Sequence, residues 1–153
     1  NDHDIINKPI GRSPKDFRRR LAGRGARGEM REAITHFKVL KRFEAPSSEI
    51  FSRVTHPKKG RTLATKKSQK TALEKFSYLE ISPKTGRTHQ IRVHMKFINH
   101  PIVCDSLYNP DNPCPKGINR LALHAKSKEF KNLKGKIIKV ESPLPKEFKS
   151  IIS

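Results

Sequence analysis

The sequence predicts an α+β fold of mixed strands with few helices. Three observations carry that expectation. Apolar residues alternate at a period of two in several short runs bounded by turn residues. Apolar spacing of three and four, the mark of a helix, is confined to one stretch after residue 88 and one at the end. No internal repeat is visible, and 153 residues are about one domain, enough to bury a core.

The elements follow in order. "IINKPI" (5–10) predicts a short strand running into a proline turn. Residues 11–32, "GRSPKDFRRRLAGRGARGEMRE", are rich in Gly and Arg with little apolar periodicity. They predict a loop, mobile without a ligand, because such a segment buries too little to offset its entropy. "AITHFKVLKRFE" (33–44) places Thr35, Phe37 and Val39 on one face and Ile34, His36, Lys38 and Leu40 on the other, a strand. Residues 45–72 form a second polar, basic stretch with "PKKGR" as a turn, and predict short strands and a long loop. "LEKFSYLEIS" (73–82) reads as a strand and "PKTG" as a turn. Thr88 can cap a helix on which Ile91, Met95 and Ile98 share a face, with Asn99 as its stop before His100-Pro101. "NRLALHAKSKEFKN" (119–132) predicts a strand with Leu121 and Leu123 on one face. "KIIKVES" is a further strand, and "LPKEFKSII" a terminal helix opened by Pro.

Only 33% of residues are hydrophobic, and 34 Lys and Arg face 14 Asp and Glu, giving a net charge of +20. Such an imbalance costs stability through self-repulsion and favours a polyanionic partner, of which nucleic acid is the commonest. Anionic membrane is the alternative, yet no segment approaches 18 apolar residues and no secretory apolar region opens the chain. Two cysteines, Cys104 and Cys114, are too few for a disulfide framework or a cysteine zinc site, and predict free thiols in a reducing compartment. Trp is absent and there are 2 Tyr, so no platform for stacked bases is evident.

Residues 84–110, "KTGRTHQIRVHMKFINHPIVCDSLYNP", gather His89, His94 and His100 with Arg87 and Arg92. The spacing does not suit a metal: His89 and His94 are five apart, and no acidic cluster lies nearby. Cys104 with His100 lacks an orienting third group for nucleophilic chemistry. His89 or His94 can serve as a general base or as a hydrogen-bonded core residue, and spacing does not choose. Arg87 follows a Gly at the junction of strand and helix, where its fork of donors suits a phosphate or carboxylate; pairing with Glu80 is the equal alternative.

Three blocks carry a resemblance. "TGRTHQIRVHMKFINHPIVCDSLYN" resembles the signature of the RluA-type RNA pseudouridine synthases, roughly TGRTHQIRVH followed by HPIvGDxxYg. "IINKPIGRSPKDFRRRLAGRGARGEMREAITHFKVL" is similar to the family's block with PIGR and then A-x-T-x-Y-x-VL, and "RLALHAKSKEFKNLKGKIIKVESPLPKEF" to its closing block. They stand in family order across nearly the whole chain.

The resemblance implies a mixed, mostly antiparallel sheet with flanking helices and long loops. It implies isomerisation of uridine in RNA, without cofactor or metal, on a flipped-out nucleotide. It implies that Arg87 pairs with the catalytic aspartate, with His89 and Gln90 in support and Leu123 packing in the pocket. Arg92 and His94 pack or touch RNA. The family's aspartate lies in an HRLDxxTSG motif that residues 1–153 do not contain, so the chain is expected to be the C-terminal portion of a catalytic domain and inactive alone. Asp105 matches a structural Gly-Asp turn. Phe37 stands where the family has an active-site Tyr, which leaves stacking without the hydroxyl.

The expected partner is rRNA or tRNA, bound by a cytoplasmic monomer that touches neither membrane nor metal. Residues 11–32 and 45–72 are the expected RNA-facing loops, with Arg12, Arg18, Arg19, Arg20, Arg24 and Arg27 on phosphates. The rival expectation is a non-catalytic basic RNA-binding module, ribosome-associated or a degenerate synthase.

Overall fold

A computed structural model of the chain describes residues 2–46, 73–112 and 114–153. Its elements run β1 (His3–Asn7), β2 (Ile10–Arg12), β3 (Arg20–Ala22), β4 (Arg27–Arg31), β5 (Ile34–Pro46), β6 (Leu73–Pro83), α1 (Gln90–Phe97), β7 (Ser127–Lys131), β8 (Ile137–Glu141) and α2 (Lys146–Ile152). The described ladders are all antiparallel: one sheet in the order β1-β5-β6, a second β3-β2-β4, and the hairpin β7-β8. Alternation in 33–44 and 73–82 thus produces the long β5–β6 pair, running from Thr35 opposite Pro83 to Pro46 opposite Leu73 with a bulge between Val39 and Lys41.

The core sits where β2 and β3, the chain entering β5, and α1 meet. Ile10, Ala22, Ala33, Val93 and Tyr108 cluster there, with Leu107 against them. The buried residues of α1 are Gln90, Val93, His94 and Met95, so two polar side chains enter the interior beside the apolar ones. At the far end Phe148 of α2 is buried, and Lys41 of β5 donates to the carbonyls of Ile152 and Ser153.

Several expectations are corrected. Residues 11–32 are not one loop: β3, β4 and most of β2 lie in them. Gly and Arg there mark turns and surface side chains, not a lack of backbone pairing. Gly11 permits the packing, because a Cβ at that position would lie 2.6 Å from Met30 Sδ and 3.0 Å from Ala26 Cβ. Of 45–72, residues 45 and 46 close β5, and the expectation for the rest lies outside the described residues. In 119–132 only Ser127–Lys131 is strand. Leu121 and Leu123 are half-buried on irregular chain, where the Ala122 N–H donates to Val103 and the Leu123 N–H to Leu121. Their alternation reflects burial, not a ladder.

Thr88 does not cap α1. The cap position is His89, in the left-handed conformation (φ 56°, ψ 20°) and without a side-chain cap bond. Asn99, at φ 61°, ends the helix as expected. Cys104 and Cys114 are not free thiols but form a disulfide, with Cα atoms 5.2 Å apart. The turn at Cys104 (φ 58°) brings them together, which counting cysteines could not show. Among the described residues no helix is long and apolar enough to cross a membrane.

Candidate active site

The turn before α1 is held by one side chain. Gln90 is buried and uses all four of its hydrogen-bonding positions. Its Oε1 accepts from the Arg87 N–H (3.0 Å) and the Thr85 hydroxyl (2.7 Å). Its Nε2 donates to the Ile34 carbonyl (3.0 Å) and Thr35 Oγ1 (3.0 Å). Thr85 Oγ1 in turn accepts the Ile34 N–H at 3.1 Å. Residues 85–90 are thereby fastened to the start of β5.

The chain of bonds continues into the core. His94 is fully buried, with Nε2 at 2.9 Å from the Lys8 carbonyl and Nδ1 at 2.8 Å from Thr35 Oγ1. A carbonyl only accepts, so Nε2 carries the proton and Nδ1 accepts from the Thr35 hydroxyl. Burial pushes the imidazole pKa below its ordinary value, which agrees with this neutral tautomer. His94 is a core residue tying the chain after β1, β5 and α1 together, and the general-base alternative has no support in its geometry.

Arg87 stands on this fixed turn. Its side chain is exposed, and its Nε donates to the Glu32 carbonyl at 2.9 Å. The alternative pairing with Glu80 is not formed: Glu80 instead lies 3.9 Å from the Lys126 ammonium. Among the described residues Arg87 has no carboxylate partner. A guanidinium held through one nitrogen keeps its outer donors available for an anion.

A second network lies beside the turn. Asp105 is buried and receives the Arg92 fork at 2.8 and 2.7 Å, together with the Leu107 and Tyr108 N–H groups at 3.0 and 2.9 Å. Burial works to raise its pKa, but these donors outweigh it and hold the carboxyl below the ordinary value. The Arg92 guanidinium covers the Tyr108 ring at 4.8 Å. Tyr108 places its hydroxyl 3.0 Å from His89 Nδ1 and accepts the Arg20 N–H at 2.8 Å. Burial, then Arg92 and Arg20, push the His89 pKa down. Arg92, expected on RNA, thus faces inward to Asp105; spacing could not reveal this because the partner is 13 residues away in a turn.

The arginines expected on phosphates are brought together. Across β3-β2-β4 the register sets Arg20 opposite Arg12 and Arg12 opposite Arg27. Directly opposed residues share a face, so the three arginines occupy neighbouring positions on one face of the sheet, with the Arg20 guanidinium donating to the Phe17 and Arg19 carbonyls. Arg18 and Arg19 pair with Asp16, at 2.9 and 3.5 Å, while Arg12, Arg24 and Arg27 are exposed without an acidic partner among the described residues.

Phe37 and Leu123 make no hydrogen bond or ring contact with Arg87 among the described residues. Phe37 is half-buried and lines an open groove of about 500 Å³ with Lys8, Phe97 and His100. It lies three residues along β5 from Ile34, where the Arg87 turn is fastened, about 10 Å of strand. Leu123 is half-buried, and its carbonyl accepts from Arg120 at 3.2 Å. The three histidines point to three places: the core (His94), Tyr108 (His89) and the groove (His100). Sequence spacing does not reveal Thr35 and Tyr108, whose side-chain hydroxyls find hydrogen-bond partners 55 or more and 19 or more residues away.

This antiparallel frame is that of a pseudouridylate synthase domain: the human RNA pseudouridylate synthase domain containing 1 has a TM-score of 0.66 to it at 22% identity, over 95% of this chain and 49% of that one. The chain belongs to the RNA pseudouridylate synthase family, whose model matches residues 1–97, and is an RluA-type member of it. It is similar to an RNA pseudouridine synthase of Bacillus subtilis, 33% identical over 147 residues that make up 95% of this chain and 37% of the relative. It is similar as well to ribosomal large subunit pseudouridine synthase D of Neisseria meningitidis, 32% identical over 158 residues, 97% of this chain and 33% of the relative. The chain therefore spans about a third of the length of these curated relatives.

Proposed function

We propose that these residues form the arginine-bearing part of an RNA pseudouridine synthase that isomerises uridine in rRNA or tRNA as a monomer. The glycosidic bond breaks, the uracil turns over, and carbon 5 joins the ribose, so the atoms balance without a co-reactant. The observation that supports this best is Arg87: exposed, held by a single backbone carbonyl, on a turn that Gln90 fixes at four points, and without a carboxylate partner among the described residues. A fork in that position orients an incoming carboxylate and keeps it ionised. His89 and Gln90 hold the turn, the arginine row takes phosphates, and Phe37 and Leu123 contribute apolar surface. Arg92 acts through Asp105 and Tyr108, not on RNA. Of the five aspartates, Asp105 is held by Arg92, Asp2 by Arg42 and Asp16 by Arg18, Asp4 accepts the Ile5 N–H, and among the described residues none of the five, Asp111 included, pairs with Arg87. The reacting carboxylate comes from outside residues 1–153.

The test is pseudouridine formed in total RNA by residues 1–153 alone, by the same residues within their complete coding sequence, and by the latter with Arg87→Ala. The expected results are none, turnover, and turnover lower by orders of magnitude, since a carboxylate without its fork gains pKa and loses orientation. Turnover by residues 1–153 alone would make one of their own aspartates the catalyst and overturn the assignment.

A further inference from the structure

We infer that Phe17 is a stacking platform for an unpaired base of the bound RNA, set beside the arginine row. The inference rests on the reading of RNA as the ligand and adds which kind of nucleotide the surface takes.

Phe17 lies at the tip of the β2–β3 connection with 87% of its surface exposed. A single exposed apolar side chain is ordinary, so exposure alone decides nothing. What sets this ring apart is how it is held. The Ser13 hydroxyl accepts the Lys15 and Asp16 N–H groups at 3.3 and 3.4 Å. The Asp16 carboxylate accepts the Arg18 N–H at 3.0 Å and the Arg18 guanidinium at 3.1 and 2.9 Å. The Asp16 carbonyl takes the Arg19 N–H at 3.0 Å, the Arg19 carbonyl takes the Ser13 N–H at 3.2 Å, and the Phe17 carbonyl takes Arg20 Nη1 at 3.2 Å. These bonds fix the backbone of the tip. Its base is anchored in turn, because the Arg20 N–H donates to the buried Tyr108.

The surroundings name the ligand. Residues 11–32 carry eight cationic side chains against three acidic ones. The row Arg20, Arg12, Arg27 starts at the strand that follows the tip. A nucleic-acid backbone lying on that row brings its bases within reach of a ring whose backbone is already ordered, which lowers the entropy cost of using it. Stacking asks only for a π-face, so it takes any base, but the base must be out of a duplex. Leu133, also fully exposed in a lysine-flanked turn, has no such face.

The test compares Phe17→Ala, Phe17→Leu and Phe17→Trp in the protein, by affinity for a stem-loop RNA and for a fully paired RNA duplex. Phe17→Ala and Phe17→Leu are expected to weaken stem-loop binding about 5- to 100-fold. Duplex affinity and the salt slope should stay as they were, because no phosphate contact is lost. Phe17→Trp should retain affinity and, as the sole Trp of residues 1–153, show fluorescence quenched by the stem-loop and not by the duplex. Full affinity with Leu, or an equal loss on the duplex, overturns the stacking role alone and leaves the synthase reading intact. Quenching of the Trp variant by phosphatidylserine–phosphatidylcholine vesicles and not by RNA would make the tip a membrane contact and overturn it as well. A wild-type protein that binds no RNA sinks both readings.

Discussion

Thr35 shows how much one small side chain can carry. Its hydroxyl accepts from Gln90 and donates to His94, both buried, so it joins the Arg87 turn to β1. Thr35→Val keeps the shape but leaves a buried amide donor and an imidazole acceptor unpaired. The expected loss is about 2–6 kcal/mol, two buried groups at about 1–3 each, read as a lower urea midpoint at unchanged slope. His94 adds a pH signature. Burial lowers its folded-state pKa, so the unfolded chain takes up a proton near its ordinary value of 6.5 while the folded state resists it. The resulting stability is present in full above that value and is lost as the pH falls toward the folded pKa. Wild-type Tm is expected to fall from about pH 7.5 to about pH 5.5, and in His94→Gln the fall should be shallower. A parallel decline in both proteins would place the titration elsewhere, His89 first.

At the scale of elements, the β3-β2-β4 sheet is the part that needs its glycine and its charges together. Gly11→Ala puts a methyl 2.6 Å from Met30 Sδ, 3.0 Å from Ala26 Cβ and 3.1 Å from the Arg27 carbonyl. Met30 can swing aside, but the other two cannot without parting β2 from β4. A destabilisation of about 1–3 kcal/mol is expected by thermal unfolding, with Met30→Ala rescuing little of it. The arginines divide by pairing. Arg12→Ala with Arg27→Ala should flatten the slope of log affinity against log salt by about 1.4, two phosphates at about 0.7 each on single-stranded RNA. Arg18→Ala should flatten it less, because Asp16 already occupies that guanidinium. Equal effects would mean that RNA pulls Arg18 from its acid.

For the whole molecule the +20 charge dominates. Self-repulsion in the folded state is screened by salt, so Tm is expected to rise between about 0.05 and 0.5 M salt even as RNA affinity falls over the same range. A Tm that falls with salt would show that the ion pairs, such as Arg92 with Asp105, outweigh the repulsion. Both trends follow from composition and need no knowledge of the fold.

That division runs through the protein. Sequence by itself determined the α+β class, β5 and β6, the end of α1 at Asn99, the terminal helix and, through three ordered blocks, the family. Each is written in local order: alternation, spacing, a residue that tolerates positive φ, a run of fixed residues. The tertiary structure decided what those residues touch. It turned Arg92 inward to Asp105, left Arg87 outward, put His94 in the core, and made a sheet of a Gly- and Arg-rich stretch that composition alone assigns to a loop. It set Arg20, Arg12 and Arg27 opposite one another across three strands. Bonds such as Gln90 to Thr35, 55 residues apart, leave no periodic trace, because a hydrogen bond depends on where two groups meet in space and not on their distance along the chain.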